Sequence, residues 1–258
     1  MATTHTVAVA LVAAMTVPSL SHGQQLTWSG LTERLERAAL AGSGQELRAV
    51  RIDLLRQLIH PAEQAPGGSL LEYAIAYAGW RLANLSEVPE REQADLLDDA
   101  VERLEALVNV DPECAEAHAL LGSLYGLQIG REPSRGAVLG VRASGALERA
   151  AAAAPDSPRV PLLQGISAFH KPARFGGGLD SAERLLRHSL DLFSREPPDQ
   201  PWPNWGRFDA HAWLGQTLAR RNDPSGARAE YEAALSLAPD SGWVKLVLLP
   251  ALNGAGRR

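Results

Sequence analysis

The side chains best suited to catalysis are scattered along this sequence. It contains no His-Glu-x-x-His, no Gly-x-Ser-x-Gly, no glycine-lysine phosphate loop and no pair of Cys-x-x-Cys motifs. Metal sites commonly draw two ligands from one short spacing, and the histidines here lie on different predicted helices or helix ends. We therefore expect no catalytic residue, no metal site and no cofactor. The histidines beyond the first 23 residues are His60, His118, His170, His188 and His211.

A basic, glycine-rich stretch is the first candidate binding site. Lys171, Arg174 and Phe175 precede three consecutive glycines, and Asp180 with Glu183 then resembles a capping box at a helix start. Glycines let backbone N–H groups approach a ligand, so this loop and helix N-terminus could hold an anion. Alternatively, the glycines let the loop pass tightly over a neighbouring helix pair while Phe175 fills the core. The second interpretation is favoured because Asp180 already occupies the cap.

A proline-rich stretch with tryptophans is the second candidate. Residues 196–206 contain four prolines and two tryptophans, which excludes a helix. Trp202, Asn204 and Trp205 on a rigid, extended loop are typical of a protein contact, but tryptophans can equally pin their own loop onto the helices. One loop is basic and the other is aromatic and acidic. This contrast motivates the hypothesis that loops 171–178 and 197–206 lie together and form the contact surface.

The elements that must position these loops are predicted helices. From Phe208 to Ser241 two apolar stripes of helical period face each other across the break Arg221–Pro224, which predicts a helical hairpin. The order of small and large residues on the stripes resembles the tetratricopeptide repeat, a family in which such positions interlock two helices. The positions that carry the resemblance are Leu214, Gly215, Ala227, Tyr231, Ala234 and Pro239.

Matching glycines extend this pattern upstream. Gly79, Gly122 and Gly165 are separated by 43 residues each, and Gly215 follows after a further 50. The family repeat is 34 residues, so the upstream units are longer than the family's. Glycine costs about 1 kcal/mol relative to alanine inside a helix, and its recurrence at equivalent positions indicates close helix crossings.

The chain divides into four predicted parts. An apolar run from Val7 to Val17, followed by small residues before Gln24, is typical of a secretory signal peptide. We expect a signal peptide over residues 1–23, an N-terminal helical hairpin over 24–68, a tetratricopeptide-like array over 69–241, and a capping helix with a tail over 242–258. No later apolar run is long enough to span a membrane, so the mature form is expected to be periplasmic or secreted.

Composition narrows the expected function. The net charge of −5 argues against a general nucleic-acid binder, and the single cysteine, Cys114, excludes a disulfide scaffold. The family resemblance implies an all-α, right-handed solenoid of helical hairpins that binds a protein or peptide. The Phe-Gly-Gly-Gly and Trp-Leu-Gly motifs are similar to those of exported bacterial tetratricopeptide-repeat proteins, which implies a scaffolding module of the cell envelope. The alternatives are a solute-binding component of a periplasmic transport system and an enzyme whose motifs the sequence does not reveal.

Overall fold

A computed structural model describes residues 27–61, 67–197 and 199–255. Within these ranges the chain forms eleven α-helices and no strand, which confirms the predicted all-α class. The predicted signal peptide and its cleavage before Gln24 lie outside the described residues. The α-helices are α1 (Trp28–Ala41), α2 (Gly44–Ile59), α3 (Gly68–Ala83), α4 (Glu90–Val110), α5 (Ala115–Arg131), α6 (Gly136–Ala153), α7 (Arg159–His170), α8 (Leu179–Arg195), α9 (Arg207–Arg220), α10 (Pro224–Leu237) and α11 (Leu249–Ala255).

Local sequence sets the ends of several helices. At the break between α9 and α10, Asn222 adopts a left-handed backbone with φ of 61°. The Asp223 carboxylate then accepts a hydrogen bond from the Gly226 backbone N–H at 2.9 Å, and Pro224 occupies the first turn. Proline at this position removes an N–H that would have no partner inside the helix. The predicted turn chemistry between α9 and α10 is therefore present in the structure.

Consecutive helices pack as antiparallel hairpins. The pairs are α1 with α2, α3 with α4, α5 with α6, α7 with α8 and α9 with α10. The first helices of neighbouring hairpins also contact one another, from α1 to α3, α5, α7 and α9 in turn. First helices therefore form an inner layer and second helices an outer layer, as in a helical-repeat solenoid. None of the helices in the described ranges is both long and apolar enough to span a membrane.

The repeated glycines lie where the two helices of a hairpin approach most closely. A Cβ atom on Gly122 would lie 2.7 Å from Leu147 Cγ and 3.0 Å from the carbonyl oxygen of Ala143. One on Gly165 would lie 2.8 Å from Leu186 Cγ. Equivalent atoms on Gly79 and Gly215 would lie 3.3 Å and 3.1 Å from carbonyl oxygens of their partner helices. A side chain at Gly122, Gly165 or Gly215 would force the partner helix or its side chains to move, whereas at Gly79 the contact would be only slightly too short.

The hairpin that carries the family resemblance has the predicted packing. Leu214 on α9 is buried, and so are Ala227, Tyr231 and Ala234 on α10. Pro239 follows the end of α10, where it cannot continue the helix. Residues Trp243–Leu248 then form a π-helical stretch that continues into α11. The Trp243 ring packs against the rings of Phe208 and Trp213, which attaches this last element to α9.

Candidate functional site

The proline-rich segment 197–206 lies against the inner layer of the solenoid. The Trp202 ring packs on the rings of Trp28 in α1 and Tyr73 in α3, at centroid distances of 5.5 and 5.4 Å. The Trp205 ring packs on Tyr77 and Trp80 of α3, at 4.8 and 5.6 Å. The segment joins α8 to α9, yet its tryptophans contact the first two hairpins. Its two indole rings therefore cover part of the concave side of the helix stack, whereas Pro201 and Asn204 of the same segment are exposed.

Hydrogen bonds fix both tryptophans in place. Trp202 Nε1 donates to Glu36 at 3.2 Å, and Trp205 Nε1 donates to the Tyr73 hydroxyl at 3.2 Å. Tyr77 Oη also donates to Glu36, at 3.3 Å. Burial raises the pKa of Glu36 to about 7, although the nearby positive charge of Arg81 opposes the shift. The aromatic cluster thus encloses a carboxyl group that titrates near neutral pH.

An ion pair joins hairpins that are far apart in sequence. Arg81 on α3 donates to Asp209 on α9 at 2.8 Å, and a second donor of Arg81 bonds the Ala39 carbonyl oxygen of α1 at 3.1 Å. Burial alone would lower the pKa of Arg81, but Asp209 raises it, so the guanidinium stays charged. Because α3 and α9 belong to the second and fifth hairpins, this pair closes the concave side of the stack.

Gly206 lets the segment turn into α9. Its backbone has φ of 112°, and an added Cβ would lie 2.8 Å from Leu162 Cδ2 and 2.9 Å from Phe193 Cζ. Trp205 is 2% exposed and Trp202 8%, whereas Asn204 is exposed. Of the two interpretations of the tryptophans, the structure favours the one in which they pin their own loop. Their indole rings pack inside the chain and present almost no surface for an external contact.

The basic loop lies at the tip of the α7–α8 hairpin. Lys171 Nζ is 3.4 Å from Ser144 Oγ on α6, and the Arg174 guanidinium lies 4.8 Å from the centroid of the Phe175 ring. Phe175 is 64% exposed. The interpretation that Phe175 fills the core is therefore wrong. The turn Ala173–Phe175, closed by the Gly176 N–H to the Ala173 carbonyl oxygen, leaves the ring at the surface, where it lies against the Arg174 guanidinium.

The predicted capping box at the start of α8 is also absent. Gly178 occupies the cap position with φ of 97° and makes no side-chain cap bond. Asp180 and Glu183 instead form ion pairs with Arg221, in the turn after α9. These carboxylates therefore tie the α7–α8 hairpin to its neighbour and do not cap their own helix.

The two candidate loops contact different parts of the molecule. Loop 171–178 precedes α8 and segment 197–206 follows it, and α8 has 17 residues, a length of about 25 Å. The loop contacts α6, whereas the segment turns inward to α1 and α3. The hypothesis that both loops form one surface is therefore wrong. The segment is long enough for its tryptophans to contact α1 and α3 on the concave side.

A polar cleft lies where α5 and α7 begin and α8 ends. It has a volume of about 480 Å³, within the usual range of ligand pockets. Residues from both helix starts and from the beginning of segment 197–206 line it. The charged lining residues are Glu116, Asp156, Arg159, Arg195 and Glu196.

Buried charges form the floor of the cleft. Arg159 is 2% exposed and donates two hydrogen bonds to Glu196, at 2.8 and 3.2 Å. Its Nη1 lies 3.9 Å from Glu116 Oε1, which also accepts a bond from Ser157 Oγ at 2.7 Å. Burial raises the pKa of Glu116, and Arg159 only partly offsets the shift. Within the described residues, Glu116 Oε2 and Arg159 Nε have no hydrogen-bond partner. Buried polar atoms without partners cost about 1–3 kcal/mol each.

The cleft was not predicted from sequence, and the only local signal for it was weak. Glu116, Arg159 and Glu196 are separated by 43 and 37 residues and belong to three hairpin junctions. The one available indication was a charged residue at an otherwise apolar helical position, Arg159, ahead of Val160. Among residues 27–61, 67–197 and 199–255, no three His, Cys, Asp or Glu side chains are arranged to hold a metal ion.

Comparisons with known proteins agree with the fold. Residues 86–128, from just before α4 into α5, match the tetratricopeptide repeat family. A thermophilic TPR protein from Thermus thermophilus is 19% identical, with a TM-score of 0.59, over 86% of this chain and 98% of its own. The HusA haemophore from Porphyromonas gingivalis is 24% identical, with a TM-score of 0.61, over 77% of this chain and 96% of its own. No curated protein matches the sequence.

Proposed function

We propose that this tetratricopeptide-repeat chain is a non-enzymatic scaffolding module of the cell envelope that binds a peptide or protein segment. The repeat match and the shared fold support a protein-interaction or scaffold module. Stacked helical hairpins typically hold partners on extended surfaces and carry no catalytic machinery. The envelope location rests on the apolar run and the small residues before Gln24.

The observation that carries the proposal is the cleft beside a concave side that the two tryptophan rings partly cover. Solenoids of this kind commonly bind partners on their concave surface, but here Trp202 and Trp205 occupy that side. The cleft next to the segment remains open and spans junctions of neighbouring hairpins. A bound partner segment would therefore contact the chain at the cleft. Trp202 and Trp205 anchor the segment whose first residues line that cleft.

The binding part of the proposal is tested by capture from envelope extracts with the chain from Gln24 onward as bait. Gln200 lines the cleft, so Gln200→Trp should fill it and reduce capture at least fivefold. Asn204→Trp places the same side chain on an exposed position of the same segment and should leave capture unchanged. Equal capture by both variants would show that the partner binds elsewhere, and no specific capture by the unmodified chain would reject the interaction.

The envelope part is tested by fractionating cells and sequencing the N-terminus of the exported protein. We expect the exported form to begin at Gln24, because small residues occupy the positions that signal peptidases read. An exported product that retains Met1, or a product confined to the cytoplasm, would contradict the proposed location. The capture experiment above does not depend on this result.

A further inference from the structure

The outer side of α6 is apolar and exposed. The helix buries its inner side against α5. On the opposite side Val138 and Val141 are 68% and 75% exposed, and Ala137 and Ala152 beside them are also exposed. An outer helix of a solenoid usually turns a polar side toward water, because no other hairpin covers it. The two valines therefore give α6 a surface that contact with a partner would bury.

Acidic side chains border this surface on one edge. Arg142 on α6 pairs with Glu105 on α4 at 2.6 Å, so α4 lies along that edge. Asp95 and Glu102, on the outer side of α4, make no ion pair within the described residues. The exposed charged residues of α4 are four acids and one cation, namely Glu90, Asp95, Asp98, Glu102 and Arg91. This edge is therefore negative.

Basic side chains border the opposite edge. Lys171 Nζ lies 3.4 Å from Ser144 Oγ, so the loop between α7 and α8 adjoins α6 there. Ser144 is two residues after Arg142, about 200° further around the helix, which places it on the other edge. Lys171 and Arg174 in this loop, and Arg184 on the outer side of α8, form no ion pair in the part of the chain that the structure describes.

The acids at the start of α8 do not cancel this positive charge. Asp180 and Glu183 both pair with Arg221, and Glu183 also pairs with Arg187. The two edges of the α6 surface therefore carry opposite charge. The edge along α4 is negative, and the edge along the α7–α8 loop and α8 is positive.

We propose that the outer side of α6 is a two-fold interface between two copies of this chain, with the two α6 helices antiparallel across Val141. A two-fold interface uses one patch on both copies, so the patch must be complementary to itself. This patch has an apolar centre and edges of opposite charge. A rotation by half a turn places the acids of α4 on one copy against the basic edge of the other. The inference does not depend on the proposed function.

The positions of the charges along the helices fit this rotation. Because α4 and α6 run in the same direction, their ion pair makes Glu102 level with a point two residues before Val141, and Lys171 adjoins a point three residues after it. The rotation exchanges points equally far before and after Val141, so Glu102 of one copy faces Lys171 of the other. Glu148, seven residues after Val141, likewise approaches Arg135, six residues before it.

Other occupants leave part of this patch unsatisfied. An anionic bilayer or a nucleic acid would attract the basic edge and be repelled by the acids of α4. An uncharged apolar peptide would cover the valines and leave both charged edges without partners. A second copy of the chain satisfies the apolar centre and both edges at once.

Sedimentation velocity of the purified full chain over a series of concentrations tests the proposal. We expect a reversible equilibrium between monomer and dimer. Val141→Glu places a carboxylate of each copy next to the two-fold axis and should weaken association about tenfold or more. Val247→Glu makes the same change at an exposed valine of the Trp243–Leu248 stretch and should change association less than about twofold.

A chain that stays monomeric at every concentration would overturn the proposal. Dissociation caused by Val247→Glu, with Val141→Glu unaffected, would place the interface on the last element and would overturn it as well. The melting temperature of each variant confirms that it is folded.

Exchanged charges test whether the two edges face each other. Lys171→Glu and Glu102→Lys should each weaken association about fivefold at low salt, because like charges then meet at both edges of the interface. In an equimolar mixture of the two variants, mixed dimers restore opposite charges at both contacts, so association should return to within about twofold of the parent. A mixture that associates no better than the separate variants would overturn the proposal.

Discussion

At the residue scale, the packing of α5 on α6 depends on one absent methyl group. Gly122 lies at the crossing, where an added Cβ would meet Leu147 and the Ala143 carbonyl. Gly126 lies one turn later on α5 and has open space where a Cβ would be. The two glycines thus share a helix and have opposite environments. They form a matched pair for testing whether the repeated glycines serve close packing.

We expect Gly122→Ala to lower the free energy of unfolding by about 1–3 kcal/mol, because the methyl group overpacks the crossing. Gly126→Ala should raise the free energy of unfolding by about 0.5–1 kcal/mol, because alanine has a higher helix propensity than glycine at an exposed position within a helix. Urea denaturation of both variants measures the difference. Similar values for the two substitutions would show that Gly122 is not required by the helix crossing.

The Glu36 carboxyl couples stability to pH at the residue scale. It is bonded by Trp202 and Tyr77 and faces Arg81 on α3 and Asp209 on α9. Its pKa is about 7 in the fold, against 4.5 for an ordinary glutamate. The folded chain therefore binds the proton more tightly than the unfolded chain does. Stability contributed by this group is present below about pH 4.5 and is lost as the pH rises through 7.

Glu36→Gln should make the protein more stable above pH 7, by roughly 1–3 kcal/mol, because the neutral amide avoids the buried charge. Below pH 5 the variant and the parent should differ little. Thermal or urea unfolding at pH 5 and pH 8 measures the effect, and Glu33→Gln, an exposed acid on the same helix, serves as control. A variant that is less stable at pH 8 would mean that the ionised carboxylate strengthens the cluster.

At the scale of elements, segment 197–206 acts as a tie across the inner layer. Its described residues, 197 and 199–206, form no helix or strand, but its two indole rings pack on four aromatic rings of α1 and α3. Each ring also donates one hydrogen bond to the wall it contacts. The prolines restrict the backbone of the segment, so the two rings are held in position at a low cost in conformational entropy.

Trp205→Ala should lower the free energy of unfolding by about 3–5 kcal/mol, the usual cost of removing a large buried aromatic ring. Asn204→Ala, the exposed neighbour, should change it by less than about 0.5 kcal/mol. Melting temperatures and urea midpoints report both. If Trp205→Ala left stability unchanged but abolished partner capture, the ring would be a contact residue and not part of the tie.

At the scale of the whole molecule, closure of the solenoid depends on contacts between distant hairpins. Arg81 and Asp209 are separated by 128 residues, and both side chains are at least 87% buried. Breaking a buried pair leaves a single charge without its partner in a medium of low polarity. Together with the contacts of Trp202 and Trp205, this pair adds long-range contacts to a stack in which helices otherwise pack mainly on neighbouring hairpins.

Asp209→Ala should destabilise the chain by about 3–5 kcal/mol, because it leaves the Arg81 guanidinium buried without its carboxylate. Glu183→Ala, which removes an outer ion-pair network with Arg187 and Arg221, should cost about 1 kcal/mol or less. Chemical denaturation provides both numbers. Equal effects of the two substitutions would indicate that the Arg81 pair lies in a solvated position and does not close the stack.

The helical hairpins and their internal packing followed from the sequence alone. Apolar stripes, Asn222-Asp223-Pro224 and the spaced glycines are signals within one hairpin, where the partners are neighbours along the chain. These signals predicted the all-α class, the turn between α9 and α10, and the close crossings at Gly122 and Gly215. The sequence could not decide whether the candidate loops bind a partner. A loop tryptophan that packs inward and one that points outward leave the same pattern in the sequence.

Only the tertiary structure decided where the segment lies and where the cleft opens. Trp202 meets Glu36 across 166 residues, and Glu116 meets Arg159 across 43. Such contacts depend on the small rotation that relates each hairpin to the next. This rotation accumulates along the stack and leaves no periodic signal in the sequence. The environment of Glu36, and the site that Glu116 helps to form, therefore result from the superhelical path of the whole chain.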